Sequence, residues 1–281
     1  MKNHTSLHLS IVSFATLVTA TSAAWAAPTV SDAEAPATVT AGPVARPAAA
    51  ADPNIDRGFI QPTAMTQPKG SLTYNNYELV LHGLTYGITD NLQTSVTVMA
   101  PLVRDMPFLG VASVKWQFLS TPRFHLALQG SASLIHIFGT DNSAPDGSTV
   151  SGSSNAYLMG AGAFASYCLR DDCSSLASLN ATYQIGFAGS GGDAAQAIIY
   201  GGSIVHRVSP HVKLLGEVTS LAASTVADSN FDNVSGALVS YGVRLHTANI
   251  ASDVGFMKPI SGEDNDPFLL GLPFINVSYR W

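Results

Sequence analysis

The chain has 281 residues, a formal net charge of −6 and a sequence pI near 5.7, and only 11% of its residues are charged. Ordinary globular domains carry about 25%, so a soluble domain fits poorly, and the lack of any basic patch argues against nucleic acid as a partner. Mean hydropathy is positive at +0.22, yet beyond the N-terminal leader no run of about 20 mainly apolar residues, the length of a spanning helix, occurs. High hydropathy without such helices leaves the closed β-barrel, the other architecture that satisfies every backbone group in lipid.

Lys2, His4 and His8 form a weakly basic start, Leu9 to Ala20 is mostly apolar, and Ala24-Trp25-Ala26 is an A-x-A cleavage site. Residues 1–26 are therefore expected to be a secretory signal peptide. No cysteine adjoins the cleavage site, which argues against a lipoprotein. Residues 27–56 are rich in Ala, Pro, Thr and Val without periodicity, and read as a disordered periplasmic linker. The alternative is a segment folded back as a plug, for which few large apolar side chains are present.

Residues 57–281 read as strands separated by turn signals. Arg57 to Thr66 is interrupted by Pro62, which belongs at strand edges or ends. Ser71 to Tyr86 reads as one long strand, with Tyr77, Leu79 and Leu81 outward and Asn76, Glu78 and His82 inward. Leu92 to Pro101 alternates Leu92, Val96 and Val98 against Gln93, Ser95 and Thr97. Phe108 to Leu119 places Val114, Trp116 and Phe118 outward and Ser113, Lys115 and Gln117 inward. Phe124 to Phe138 sets Phe124, Leu126 and Leu128 against His125, Gln129 and Ser131. A long Gly/Ser/Asp loop occupies residues 139–155, and the faces of Ala156–Cys168 and Gln196–Arg207 are not distinguishable from the pattern. Leu176–Phe187, Val212–Ala223, Val234–His246 and Ile250–Met257 continue the series, with Lys213, Glu217, Arg244 and Asp253 inward.

Short turns near Asp90, Pro122, Asp171, Pro210 and Ala248 alternate with longer loops near Asp105, Asp146, Gly191, Asn230 and Asp264. Short periplasmic turns and long outer loops are the pattern of bacterial barrels. Eleven segments follow from Ser71 onward, and an even count needs one more. Arg57–Thr66 supplies it, giving an all-β, up-and-down antiparallel transmembrane barrel of about twelve strands, with ten as the alternative. The inward assignment of the cations has an energetic reason, since Arg or Lys facing lipid at midplane costs roughly 2–4 kcal/mol.

The last strand, Phe274 to Trp281, puts Ile275, Val277, Tyr279 and Trp281 on one face. A chain ending so, on an aromatic residue, resembles the bacterial outer-membrane β-barrels. In that class the terminal strand closes the barrel and its end is the address read by the barrel-assembly machinery. Leu84-Thr85-Tyr86-Gly87-Ile88-Thr89-Asp90-Asn91-Leu92-Gln93, with Pro62-Thr63-Ala64 and Lys69-Gly70-Ser71 upstream, is similar to a broad group of outer-membrane transporters. One branch of that group is associated with meta-pathway phenol degradation. The resemblance implies a Gram-negative outer membrane, contact with its lipids, and passage of small, apolar or aromatic solutes. Gly87 and Asp90-Asn91 are turn devices and carry no chemistry.

The lumen-lining candidates are Glu78, His82, Lys115, Gln117, His125, Lys213, Glu217, Arg244 and Asp253. They either line a pore or pair with one another and hold a small lumen shut, because twelve strands lie between filled barrels of about eight and open ones of sixteen or more. Cys168 and Cys173 are the only cysteines, and in an oxidising compartment their expected state is a disulfide. No metal or other cofactor is implied. His82, His125, His136, His206, His211 and His246 are scattered, without a Ser-His-acid spacing, so catalysis is not expected. Tyr86, Trp116, Tyr183, Tyr279 and Trp281 read as interface girdles. The expected role is therefore a channel or transporter for small solutes. A structural or adhesive barrel without an open pore is the alternative, and a lipid-modifying hydrolase a more distant one. Solute and oligomeric state are not encoded in these patterns.

Overall fold

Fourteen strands form in chain order: β1 (Leu72–Tyr77), β2 (Leu81–Thr89), β3 (Leu92–Met99), β4 (Phe108–Ser120), β5 (Phe124–Ile137), β6 (Asn142–Ser143), β7 (Thr149–Val150), β8 (Ser154–Cys168), β9 (Leu176–Ala188), β10 (Ala195–Ser209), β11 (Val212–Thr225), β12 (Val234–His246), β13 (Ile250–Ile260) and β14 (Leu272–Arg280). This computed structural model describes residues 52–99, 107–138, 142–143, 149–150, 154–188, 194–225, 234–260 and 270–281. The signal peptide, residues 27–51 and the centres of the expected long loops lie outside that set. Twelve of the strands close an antiparallel barrel, each paired with its chain neighbour, while β6 and β7 make a separate two-stranded ribbon between β5 and β8. Closure is made by β1 against β14, in register from Thr73↔Arg280 to Tyr77↔Asn276.

Strict alternation sorts the side chains. Along β14 Ile275, Val277 and Tyr279 are exposed while Phe274, Asn276, Ser278 and Arg280 are buried. The outward face carries Leu84, Val96, Trp116, Leu128, Tyr183, Val218 and Val254, all more than one third exposed. Such a belt is stable against hydrocarbon and not against water. Among the described residues no helix is long and apolar enough to cross a membrane.

Three expectations need correction. First, Ser71–Tyr86 is two strands, because Glu78 and Leu79 both take positive φ (53° and 62°) and reverse the chain between β1 and β2. Second, Arg57–Thr66 is no strand of the wall; its isolated bridge, Arg57↔Pro62, belongs to a turn inside the lumen. The count of twelve therefore holds for a different reason. Third, residues 52–56 do not belong to a linker, since Asp52, Pro53, Asn54 and Ile55 are buried within the barrel. A plug of this kind needs few large apolar side chains because polar contacts to the wall hold it.

The connections at residues 90–91, 121–123, 169–175, 210–211 and 247–249 lie at one end of the barrel, and at the other end only the β1–β2 turn at residues 78–80 is short. The first of these, the short-turn end, is where the plug sits.

Candidate functional site

The plug shapes itself by local hydrogen bonds. Asp52 Oδ1 accepts from the Asn54 amide at 2.9 Å, and Asp52 O accepts from Ile55 N at 3.2 Å. Gly58 N donates to Gln61 O at 2.9 Å and Thr63 N to Asp56 O at 2.9 Å, folding residues 56–63 into a tight reversal. At its tip the amides of Phe59, Ile60 and Gln61 all point to one place. There the Glu217 carboxylate of β11 accepts from Phe59 N at 2.5 Å, Ile60 N at 3.0 Å and Gln61 N at 3.1 Å. Successive amides converging on a carboxylate form an anion-binding nest, here occupied by the protein's own wall.

Phe59 is fully buried and its ring lies 4.7 Å from that of Phe274. Gly242 and Gly255 make room for it: a Cβ at either position would stand 2.9 Å from a ring carbon of Phe59. Below the tip, Arg244 joins plug to wall. Its Nε reaches Asp253 Oδ1 at 2.6 Å and its Nη2 reaches Oδ2 at 3.0 Å, a bidentate pair. The same guanidinium donates to Asn54 O at 2.8 Å, to Gly58 O and to the Asp52 carboxylate at 3.2 Å. Lys213 Nζ completes the Asp52 site at 2.6 Å. Asn54 and Asn276 each donate to Asp253 Oδ2, at 3.2 and 3.1 Å.

On the opposite side Lys115 Nζ donates to Asp56 O at 3.0 Å and Thr63 O at 3.1 Å. Gln93 bridges the plug by accepting from Gln67 N at 2.7 Å and donating to Asp56 Oδ2 at 3.0 Å. Arg57 donates to Tyr77 Oη, to Asn75 Oδ1 at 2.6 Å and to Ser278 Oγ at 2.7 Å, so one plug side chain spans the β1–β14 seam.

Burying this many charges is costly unless each is paired and its remaining lone pairs and protons are used. Asp52 shows the balance. Burial opposes its ionisation, but the Arg244 and Lys213 charges prevail and hold the carboxyl far below its ordinary value of 3.8. The arrangement fixes a segment of chain across the lumen.

Seven of the nine sequence-derived candidates face inward and are buried: Lys115, Gln117, His125, Lys213, Glu217, Arg244 and Asp253. Their partners, however, are plug atoms as well as one another. Glu78 and His82 do not face the lumen. Glu78 is exposed at the β1–β2 turn, accepting from Ile275 N at 2.5 Å. His82 pairs with Asn76 across β1 and β2 on the outward face, its Nδ1 2.7 Å from Tyr74 Oη and 3.0 Å from Asn76 Nδ2. Thr73 and Asn75 before the turn and Gly83 and Thr85 after it are all buried, so odd positions face inward on both strands, the expected phase is inverted throughout, and Tyr77 faces inward onto Phe274.

Cys168 and Cys173 are joined by a disulfide. His125 Nε2 lies 3.8 Å from Cys173 Sγ, and its Nδ1 2.8 Å from Gln117 Nε2. These three residues have the spacing of a metal cluster, but both sulfurs are committed to each other, so the set is no ligand group in this state. The remaining histidines are spread over the wall: His206 and His211 are exposed, His136 is half-buried and His246 lies at the short-turn mouth.

Sequence reasoning missed Asp52, Asn54, Asp56, Arg57 and Gln67. Asp52, Asp56 and Arg57 are three charges within six residues at the end of a stretch rich in Ala, Pro, Thr and Val, and inward wall charges needing partners were the matching signal.

Above the plug the inner wall changes character. Leu109, Val111, Ala197, Leu238 and Met257 face inward toward the long-loop end, with Ser131 and Ser133 among them. Every charged inward side chain of the described strands lies in the short-turn half.

The sequence matches no protein-family model and no curated protein. Solved structures share its general form. The outer-membrane expressed OmpT of Vibrio cholerae aligns at 11% identity with a TM-score of 0.44, over 72% of this chain and 64% of OmpT. The NanC porin aligns at 8% identity and a TM-score of 0.42, over 75% of this chain and 97% of NanC. LpxR from Salmonella typhimurium gives 11% and 0.43, over 75% and 99%. The chain thus spans less than two thirds of OmpT. The barrel and its twelve-strand closure stand on the strand pairing described above.

Proposed function

We propose that this protein is a Gram-negative outer-membrane barrel that passes small, mainly apolar or aromatic solutes, with residues 52–69 closing its periplasmic half. The carrying observation is the division of the inner wall. Charges sit where the plug uses them, and the upper inner wall is uncharged, its apolar Leu109, Val111, Ala197, Leu238 and Met257 interspersed with Ser131, Ser133, Thr182 and Gln184. A pore selective for ions would carry charged groups there as well. An apolar chamber with few polar groups is the usual form of a small-molecule site. The Ser131 and Ser133 hydroxyls, buried with no hydrogen-bond partner among the described residues, supply such groups. The short-turn end is periplasmic by the loop-length rule. The likeness of the Leu84–Gln93 hairpin to the transporter group with a phenol-degradation branch agrees with an aromatic cargo.

The density of buried ion pairs favours a second reading, a structural barrel kept permanently shut. Influx into proteoliposomes separates the two. The transporter reading expects a small aromatic solute to enter faster than a sugar of similar size, and Val111→Asp to abolish the difference. Equal influx of both solutes, indistinguishable from protein-free vesicles, would leave only the structural barrel.

A further inference from the structure

The outward wall over β8 to β12 is not evenly convex. A trough of about 660 Å³ crosses it, floored by Ala165, Ala177, Gly202 and Gly216. Ladder pairing staggers this floor: Ala165 and Gly202 stand opposite Leu179, and Ala177 and Gly216 opposite Ile204, so the small residues follow one another diagonally between the large ones. Leu179, Ile204 and Tyr241 rise beside it and are all exposed. The lower end reaches Phe124 and Tyr167, which pair where β5 and β8 meet the short turns.

At that end the chemistry changes. The Arg123 guanidinium sits beside the Tyr167 hydroxyl and pairs with Asp171, and both members of that ion pair are more than half exposed. Arg170 is exposed in the neighbouring turn, and Arg207 pairs with Asp172 there. Three arginines thus face two aspartates. An exposed ion pair contributes about 0–1 kcal/mol, so Arg123 exchanges Asp171 for another anion at little cost.

We infer that the trough is a specific site for an anionic phospholipid of the periplasmic leaflet. One acyl chain lies along the Ala165–Gly216 floor and the phosphate sits against Arg123 and Arg170. The inference rests on the outer-membrane placement proposed above, but not on transport. Bulk tails are as apolar as leucine, so transfer from lipid to wall offers no hydrophobic gain. What the trough adds is dispersion contact on more than one side of the chain, and the arginines add charge selection.

The test is native mass spectrometry of the mature protein in detergent micelles, titrated with phosphatidylglycerol or phosphatidylcholine. The expected result is one strongly retained phosphatidylglycerol per chain. Gly216→Leu and, separately, Ala177→Leu fill the trough from the outward face and are expected to remove it. Arg123→Ala with Arg170→Ala is expected to reduce the preference for the anionic lipid roughly fivefold for each cation. Heat-modifiable migration shows that each variant has folded. Unchanged retention in both filled variants overturns the inference, as does a dimer lost on filling, which would make the trough an interface between copies. Because no solute is involved, a failed transport assay leaves this result untouched.

Discussion

Glu217 shows how a single residue can hold a segment of chain across a barrel lumen. Its carboxylate satisfies three consecutive amides of the plug tip. Hydrogen bonds to a charged group are worth about 1.5–3 kcal/mol each, and unmade ones cost more when buried. Glu217→Ala should therefore free the tip and raise tryptic cleavage after the buried Arg57 about a hundredfold, the ratio that about 2.7 kcal/mol gives. Gly58→Ala tests the same contact from the other side, because its Cβ would meet the Glu217 carboxylate and Ser203. A roughly tenfold rise in cleavage is expected, with the charge left in place. Asp52 makes a prediction about pH. Its ionised form is favoured in the folded state, so the stabilisation is complete above its ordinary value of 3.8 and is lost only as pH falls toward the lower folded value. The ratio of Asp52→Asn to wild-type cleavage should hence stay constant between about pH 8 and pH 5, and a ratio falling toward one within that window would show that Asp52 loses its charge there.

At the scale of elements, plug and wall are made for each other but differ in how they are stabilised. The wall is a continuous antiparallel ladder from β1 round to β14, and its stability is distributed over backbone bonds. The plug has one isolated bridge of its own and takes its place from side chains of the surrounding wall strands. Arg244→Met would leave Asp253 buried without its bidentate partner, a loss of about 3–5 kcal/mol. That loss should appear as easier plug release, with the strand content of the barrel by circular dichroism unchanged. The Cys168–Cys173 bridge acts differently. It closes the short β8–β9 connection far from the Arg244 site in sequence. Cys168→Ser with Cys173→Ser should lower the free energy of unfolding in urea by no more than about 2 kcal/mol, the chain-entropy value for so small a loop, and leave cleavage at Arg57 unaltered.

For the whole molecule, the wall was far more legible in the sequence than its contents. Period-two alternation in Phe108–Leu119 and at the C-terminus puts Lys115 and Tyr279 on their observed faces, because a face buried in lipid tolerates no slip of register. Glu78 falls in a turn made by two non-glycine residues with positive φ, which leaves no signature in composition, and His82 was misplaced because polar Asn76 and His82 occupy outward positions while Tyr77 and Leu81 point inward. The plug was hidden for a related reason: its residues hold their place through partners more than 100 positions away, such as Glu217 and Arg244, and local patterns carry no trace of such pairing. The central claim is that residues 52–69 close an otherwise passable barrel. Conductance of the full mature chain and of a chain lacking residues 52–69, each in a planar bilayer, tests it most directly. The account predicts a closed full-length barrel and sustained stepwise openings once the segment is removed. Equal conductance from both, in folded and heat-modifiable protein, would contradict it.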